Sequence, residues 1–213
     1  MNAAGLMALI ERATPEGGSW CSVEKSTQLA SLVLALRPRT IVEIGVFLGG
    51  SLVPMALAQQ SYAMPARDAC WAVDPWEASA SVEGQTGDNA AWWGKLDHER
   101  VFRQFMGRLS KYELGDLVRV ARMTSDAFNA PNQIDLLHID GNHGEQACRD
   151  VQRFAPRVPI GGILVMDDLG WEGGHVRRGY EAARASGFVE LYELGTGCVM
   201  QRRLGFSDTP GVH

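Results

Sequence analysis

Acidic residues stand where several short apolar runs of this sequence come to an end: Glu43, Asp74, Asp140 and the adjacent pair Asp167 and Asp168. In an open parallel sheet, ligands bind beyond the carboxyl ends of the strands. Buried carboxylates need partners, so acids gathered at that edge point to a ligand or a metal rather than to folding alone. If Asp140 and the Asp167, Asp168 pair close neighbouring strands, the three can converge, and hard oxygen donors of this kind favour Mg²⁺. Such an ion would stabilise the alkoxide of an acceptor hydroxyl. The structural alternative is a turn at Asp140-Gly141 and a cap at Asp168. Zinc is disfavoured, because Cys and His offer no tetrahedral spacing. His143, three residues after Asp140, is the candidate general base beside it. A helix-capping or metal-binding histidine is the other reading of that position. His138 lies inside a strand and reads as a hydrogen-bonded core group or as support for the acids.

A second constellation precedes this one. In the run from Glu43 to Ser51 (EIGVFLGGS), Gly45, Gly49 and Gly50 let the backbone turn sharply and approach a ligand closely. The run lacks the Gly-Lys-Ser/Thr ending of a phosphate loop and departs from the dinucleotide fingerprint. Read alone, its alternative is a strand-to-helix connection without a ligand. Glu43 supplies a carboxylate for the ammonium of an amino-acid moiety, directly or through water. Asp74 closes the next strand, where an acid can accept both hydroxyl protons of a ribose. Trp76 is placed to cover an adenine face or simply to pack. Ser125 and Asp126 are candidates for the adenine edge, with a helix N-cap as the alternative.

These residues need a scaffold, and the patterning supplies one. Apolar residues at three- and four-residue steps predict a helix over Val23 to Leu36, ended by Pro38. Strands are expected at Thr40 to Gly45, Cys70 to Asp74, Leu117 to Ala121, Ile134 to Asp140 and Gly162 to Met166. Helices are expected at Ser51 to Gln59, around His98 to Leu109, near Ser125 to Asn129, at Glu145 to Phe154 and at Gly173 to Ser186. Phe188 to Glu193 and Cys198 to Arg202 form a hairpin across Gly195-Thr196-Gly197. Alternating units imply a Rossmann-like, doubly wound, mostly parallel α/β sheet with a C-terminal antiparallel hairpin. A polar stretch from Glu77 to Arg103, holding Trp92, Trp93 and His98, is long for a connection and reads as a lid or insertion. Its paired tryptophans suit stacking on an acceptor, anchoring of the next helix, or a subunit contact.

The bulk numbers set limits. A chain of 213 residues, 46% hydrophobic, suits one domain over residues 1–213. A net charge of −5 argues against a nucleic-acid partner. The scattered Cys21, Cys70, Cys148 and Cys198 read as reduced thiols. Met1 to Ile10 carry no basic leader and no membrane span, which predicts a cytoplasmic protein without a membrane partner. A homo-oligomer is left open.

The runs IVEIGVFLGGSL, WAVDPWE and IDLLHIDGNHGEQACRDVQRFAPRVPIGGILVMDDLGW together resemble the class I SAM-dependent methyltransferases, and within them the family 24 group that includes macrocin-type sugar O-methyltransferases. The likeness covers roughly Arg37 to Glu172. It implies S-adenosyl-L-methionine as methyl donor, a divalent metal on Asp140, Asp167 and Asp168, and a small hydroxyl acceptor, a sugar or a catechol-like compound. The acceptor-binding segments match no pattern. Three other readings remain: a metal-independent methyltransferase whose acids hold substrate hydroxyls, a SAM-binding protein without turnover, and a Rossmann oxidoreductase using NAD.

Overall fold

The computed structural model describes residues 3–18 and 20–204. The apolar stretch read from Met1 therefore begins outside the described residues, and the single-domain reading extends beyond them at both ends. Among the described residues no helix is long and apolar enough to cross a membrane.

The elements in chain order are α1 (Ala3–Ala13), α2 (Val23–Leu36), β1 (Thr40–Ile44), α3 (Leu52–Gln60), β2 (Ala69–Val73), α4 (Ala78–Val82), α5 (Gly87–Lys95), α6 (His98–Lys111), β3 (Val118–Ala121), β4 (Leu136–Ile139), α7 (Glu145–Phe154), β5 (Ile163–Met166), α8 (His175–Ala185), β6 (Phe188–Leu194) and β7 (Gly197–Arg202). The seven strands form one sheet in the order β3-β2-β1-β4-β5-β7-β6. All pairings from β3 to β5 are parallel, and β7 runs antiparallel to both β5 and β6. The chain leaves β1 toward β2 and β3, then returns to lay β4 on the other side of β1. The switch point between β1 and β4 opens the crevice in which such sheets bind ligands.

Alternation along the strands divides the core in two. Ile41, Ala72, Leu136 and Val165 face α1, α2, α3 and α6. Val42, Val73, Leu137 and Leu164 face α7 and α8. Helix α2 starts where the Ser22 hydroxyl accepts the Lys25 amide hydrogen, and it stops at Arg37 in the left-handed region just before Pro38. The hairpin turns on Gly195, whose φ of 60° a side chain would resist.

Two segments with no expected element are helical, and the short helix expected near Ser125 to Asn129 is a turn. The amino-terminal stretch forms a helix, α1, whose Leu6 and Ile10 pack on the core. The segment between β2 and α6 is helical, as α4 and α5. Residues Ser125 to Asn129 form a turn instead of a short helix, closed by Ala127 N–H to Thr124 O at 3.1 Å and Phe128 N–H to Ser125 O at 3.2 Å. Pro131 follows too closely for a second turn. Cys21, Cys70 and Cys198 are buried thiols, Cys148 is half-buried, and all four are free.

Candidate active site at the carboxyl edge of the sheet

Residues Gly45 to Ser51 cross from β1 to α3 over this edge, and neighbouring elements hold them from both sides. Asp74, just past β2, accepts the amide hydrogens of Val46 and Phe47 on Oδ2, each at 2.9 Å, and that of Trp76 on Oδ1 at 2.7 Å. Burial raises the Asp74 pKa, and these three backbone donors oppose it. The carboxylate expected to meet a ribose is thus also the brace of the glycine loop. Oδ1, with a single donor, keeps acceptor capacity for a ligand hydroxyl.

Trp76 lies in the core beneath the loop, 3% exposed, stacked on Phe105 at 5.2 Å, with its indole N–H donating to Phe47 O at 2.8 Å. From α6 the buried Arg108 donates to Leu48 O, and to Ala13 O at 2.7 Å. A Cβ on Gly45, whose φ is 84°, would sit 2.3 Å from Asp140 O, so the loops after β1 and β4 touch backbone to backbone. Gly45→Ala is accordingly expected to cost about 3 kcal/mol. A melting temperature lowered by roughly 6–12 °C in calorimetry would register that cost, and an unchanged value would contradict the packing. Gly49, with φ of 75°, abuts Phe105, and Gly50 is buried in the same turn.

Glu43 is fully enclosed. Register places it beside His138 on β4, on the face covered by α2 and α3. Its Oε1 accepts the Ser51 hydroxyl at 2.9 Å, and its Oε2 lies 3.1 Å from His138 Nδ1. The other ring nitrogen, Nε2, is 2.9 Å from Asp167 Oδ2. Both partners are carboxylates that only accept, so both nitrogens carry hydrogen and His138 is an imidazolium. Burial alone would lower its pKa, but the bonds to Asp167 and Glu43 prevail and raise it to about 10. Burial likewise works against the Asp167 carboxylate, yet His138 and Lys25 hold it well below the usual carboxylate range.

Lys25 was not anticipated. Its ammonium bonds directly to Asp167 Oδ2 and lies 3.8 Å from Asp140 Oδ2, with its side chain only 9% exposed. A signal existed in the sequence. Lys25, Leu29 and Val33 recur at four-residue steps on α2, so the lysine occupies the stripe that faces the core.

Outside this buried row lies a more open pair. His143 Nε2 is 3.0 Å from Asp168 Oδ2, and its ring sits 4.1 Å from that of Trp171. Thr196 donates to Asp168 Oδ1 at 2.8 Å. The His143 imidazole beside Asp168 holds that carboxyl below its ordinary range, against burial. A cavity of about 480 Å³ opens on His143, lined among others by Gln85, Asn89, Trp171, Glu172 and His175. Asn142 fixes one wall by donating to Glu83 O at 2.7 Å, which ties the segment after α4 to the loop after β4. Trp92 and Trp93 face elsewhere. They cluster with Trp20 and with Phe47 of the glycine loop, at ring distances from 4.9 to 6.4 Å. Ser125 and Asp126 both accept from Gln146 of α7, at 2.9 and 3.2 Å.

The three acids expected to share Mg²⁺ are divided. Among the described residues, potential ligand atoms gather as His138, Asp140 and Asp167, and as Asp140, His143 and Asp168. Consecutive side chains diverge, so Asp167 turns inward to His138 and Lys25 while Asp168 turns outward to His143 and Thr196. In the inner group His138 has no free lone pair and Lys25 already supplies a positive charge. The remaining Asp167 oxygen, Oδ1, has no partner and lies 2.9 Å from where a Gly197 Cβ would be. In the outer group Asp168 is already engaged by His143 and Thr196, and Asp140 faces the Lys25 ammonium. Mg²⁺ in either group would have to displace a basic partner already in place, and the residues as arranged do not fit it.

Comparison with known proteins supplies an independent line. The model of a family described as a methyltransferase domain matches residues 42–169. Uncharacterized protein y4gI of Sinorhizobium fredii is 27% identical over 144 residues, covering 64% of this chain. The chain spans only 14% of that relative's length. Among solved structures, the O-methyltransferase NovP superposes with a TM-score of 0.65 at 20% identity, over 91% of this chain and 88% of its own. The O-methyltransferase TomG from Streptomyces achromogenes, solved with SAM, gives 0.62 at 16% identity, over 94% and 90%. An O-methyltransferase from Bacillus cereus, solved with SAH, gives 0.62 at 15% identity, over 94% and 90%. At these identities the likeness to the solved structures is one of fold.

Proposed function

The chain belongs to the methyltransferase-domain family that matches residues 42–169, and from that premise we propose that it moves the methyl group of SAM to a hydroxyl of a small, polar acceptor seated beside His143. The observation that carries this reading is the cavity of about 480 Å³ that opens on His143 at the carboxyl edge of the sheet. Its volume suits a small-molecule site. Its wall offers amide, carboxylate and imidazole groups together with one aromatic face, Trp171, a combination that suits a hydroxylated ring such as a sugar. SAM, when bound, supplies an electrophilic sulfonium methyl. Gly45, Gly49 and Gly50 would give it a close backbone approach, and Asp74 would accept ribose hydroxyl hydrogens through Oδ1. Glu43 and Ser51 support the loop from within. Ser125 and Asp126 stand on α7's Gln146 and are assigned no direct contact.

His143 would take the acceptor's proton as its oxygen attacks, and Asp168 would hold the imidazole in place and balance the charge that forms. Asp140, beside it, would orient the hydroxyl. Holding both reactants in line does the larger share of the work. Calorimetry with SAM, followed by a tritiated-methyl assay against a panel of sugars and catechols, tests the reading. SAM binding at micromolar Kd and label transfer to at least one hydroxyl acceptor are expected. Preferential binding of NAD, or SAM binding with no transfer to any hydroxyl compound, would overturn it.

A further inference from the structure

Lys25 carries an inference that rests on the methyl-transfer reading above and deepens it. Along the buried row Glu43, His138, Asp167 and Lys25 alternate acid and base, so each acid lies against a basic side chain. Asp140, a short step beyond at 3.8 Å from the same ammonium, opens toward solvent with its side chain 28% exposed. The row therefore runs from Ser51 at the start of α3, under the glycine loop, to the acid beside His143. Each link is a charged contact between side chains supplied by a different element: β1, β4, the end of β5 and α2. A cation bridging Asp167 and Asp140 is what the resemblance expected from a divalent ion, and here it is covalently part of the chain.

We infer that Lys25 is a positioning residue that serves as the resident cation of this site, fixing Asp140 for the acceptor hydroxyl and making methyl transfer independent of a divalent metal. A lysine can do this because its single positive charge bonds to Asp167 and stands at ion-pair distance, 3.8 Å, from Asp140. A divalent ion added to the row would have to displace an ammonium that is tethered by helix α2, and so pay the loss of an ion pair in a dry setting.

Mn²⁺ binding followed by electron paramagnetic resonance tests this on the full chain, with methyl transfer measured in parallel with and without EDTA. Wild-type protein is expected to leave Mn²⁺ free at concentrations up to about 1 mM and to lose less than twofold in turnover with EDTA. Stoichiometric Mn²⁺ binding by the wild type, or at least tenfold loss of turnover in EDTA, overturns the inference without any variant having to fold. Lys25→Met exposes the uncompensated acids and is expected to bind one Mn²⁺ per chain, whereas Lys25→Arg keeps a cation and is expected to bind none. A folded Lys25→Met protein that binds no Mn²⁺ also overturns it. The two readings fail separately: metal-dependent methylation would sink the lysine's role and leave the methyltransferase, while absence of SAM binding would sink the methyltransferase whatever Mn²⁺ does.

Discussion

His143→Ala is expected to lower kcat by about 10²–10⁴-fold, the range associated with loss of a positioned general base, while the Kd for SAM changes by less than twofold. The asymmetry follows from placement. His143 sits between Asp168, at 3.0 Å, and the acceptor cavity, and none of its contacts reaches the glycine loop. Single-turnover assays at saturating SAM isolate the chemical step. Asp168→Asn should give a smaller loss, since it keeps the shape of the contact and removes the charge that favours the imidazolium. A His143→Ala enzyme with wild-type turnover across pH 6–9 would remove the histidine as base.

The second large effect is expected on the cofactor side. Asp74→Ala removes the acceptor of three backbone N–H groups, those of Val46, Phe47 and Trp76. Hydrogen bonds to a charged group contribute roughly 1.5–3 kcal/mol each, but water can replace part of that in a half-exposed loop. A net loss of about 3 kcal/mol in loop order and ligand contact corresponds to roughly 10²-fold in Kd. Calorimetry should therefore show SAM binding weakened by about two orders of magnitude. At saturating SAM, kcat should stay within about threefold of wild type. If SAM affinity stays within threefold, Asp74 is only a packing residue. Taken with His143→Ala, the pair separates the two halves of the site: one variant loses affinity, the other rate.

The expected site proved partly legible. The glycines of the loop read as room for a ligand, whereas at Gly45 the close neighbour is the backbone of Asp140. Asp74 reads as an acceptor for a ribose, and in the fold it accepts from the loop itself. Trp76 followed the strand closely enough to suggest an adenine cover, but a left-handed turn at that residue, with φ of 44°, swings the ring into the core against Phe102 and Phe105. Asp167 and Asp168 are neighbours in sequence and opposite in direction, which no spacing argument over a pair of identical acids could resolve.

What the sequence determined by itself is what local periodicity and strand-end chemistry can express. Alternation of short apolar runs with amphipathic helices implied the parallel sheet, the Gly-Thr turn implied the hairpin, and acids closing the strands marked the working edge. These depend on residues a few positions apart, and so they survive without coordinates. The tertiary structure alone decided the partnerships. Glu43 meets His138 across 95 positions and Lys25 meets Asp167 across 142, because neighbouring strands and a helix packed over them bring distant charges into one low-dielectric row. In that setting a charge must be matched by the nearest opposite one. Which acid stands free to act, and which is already matched, depends on three-dimensional neighbours that no stretch of sequence contains.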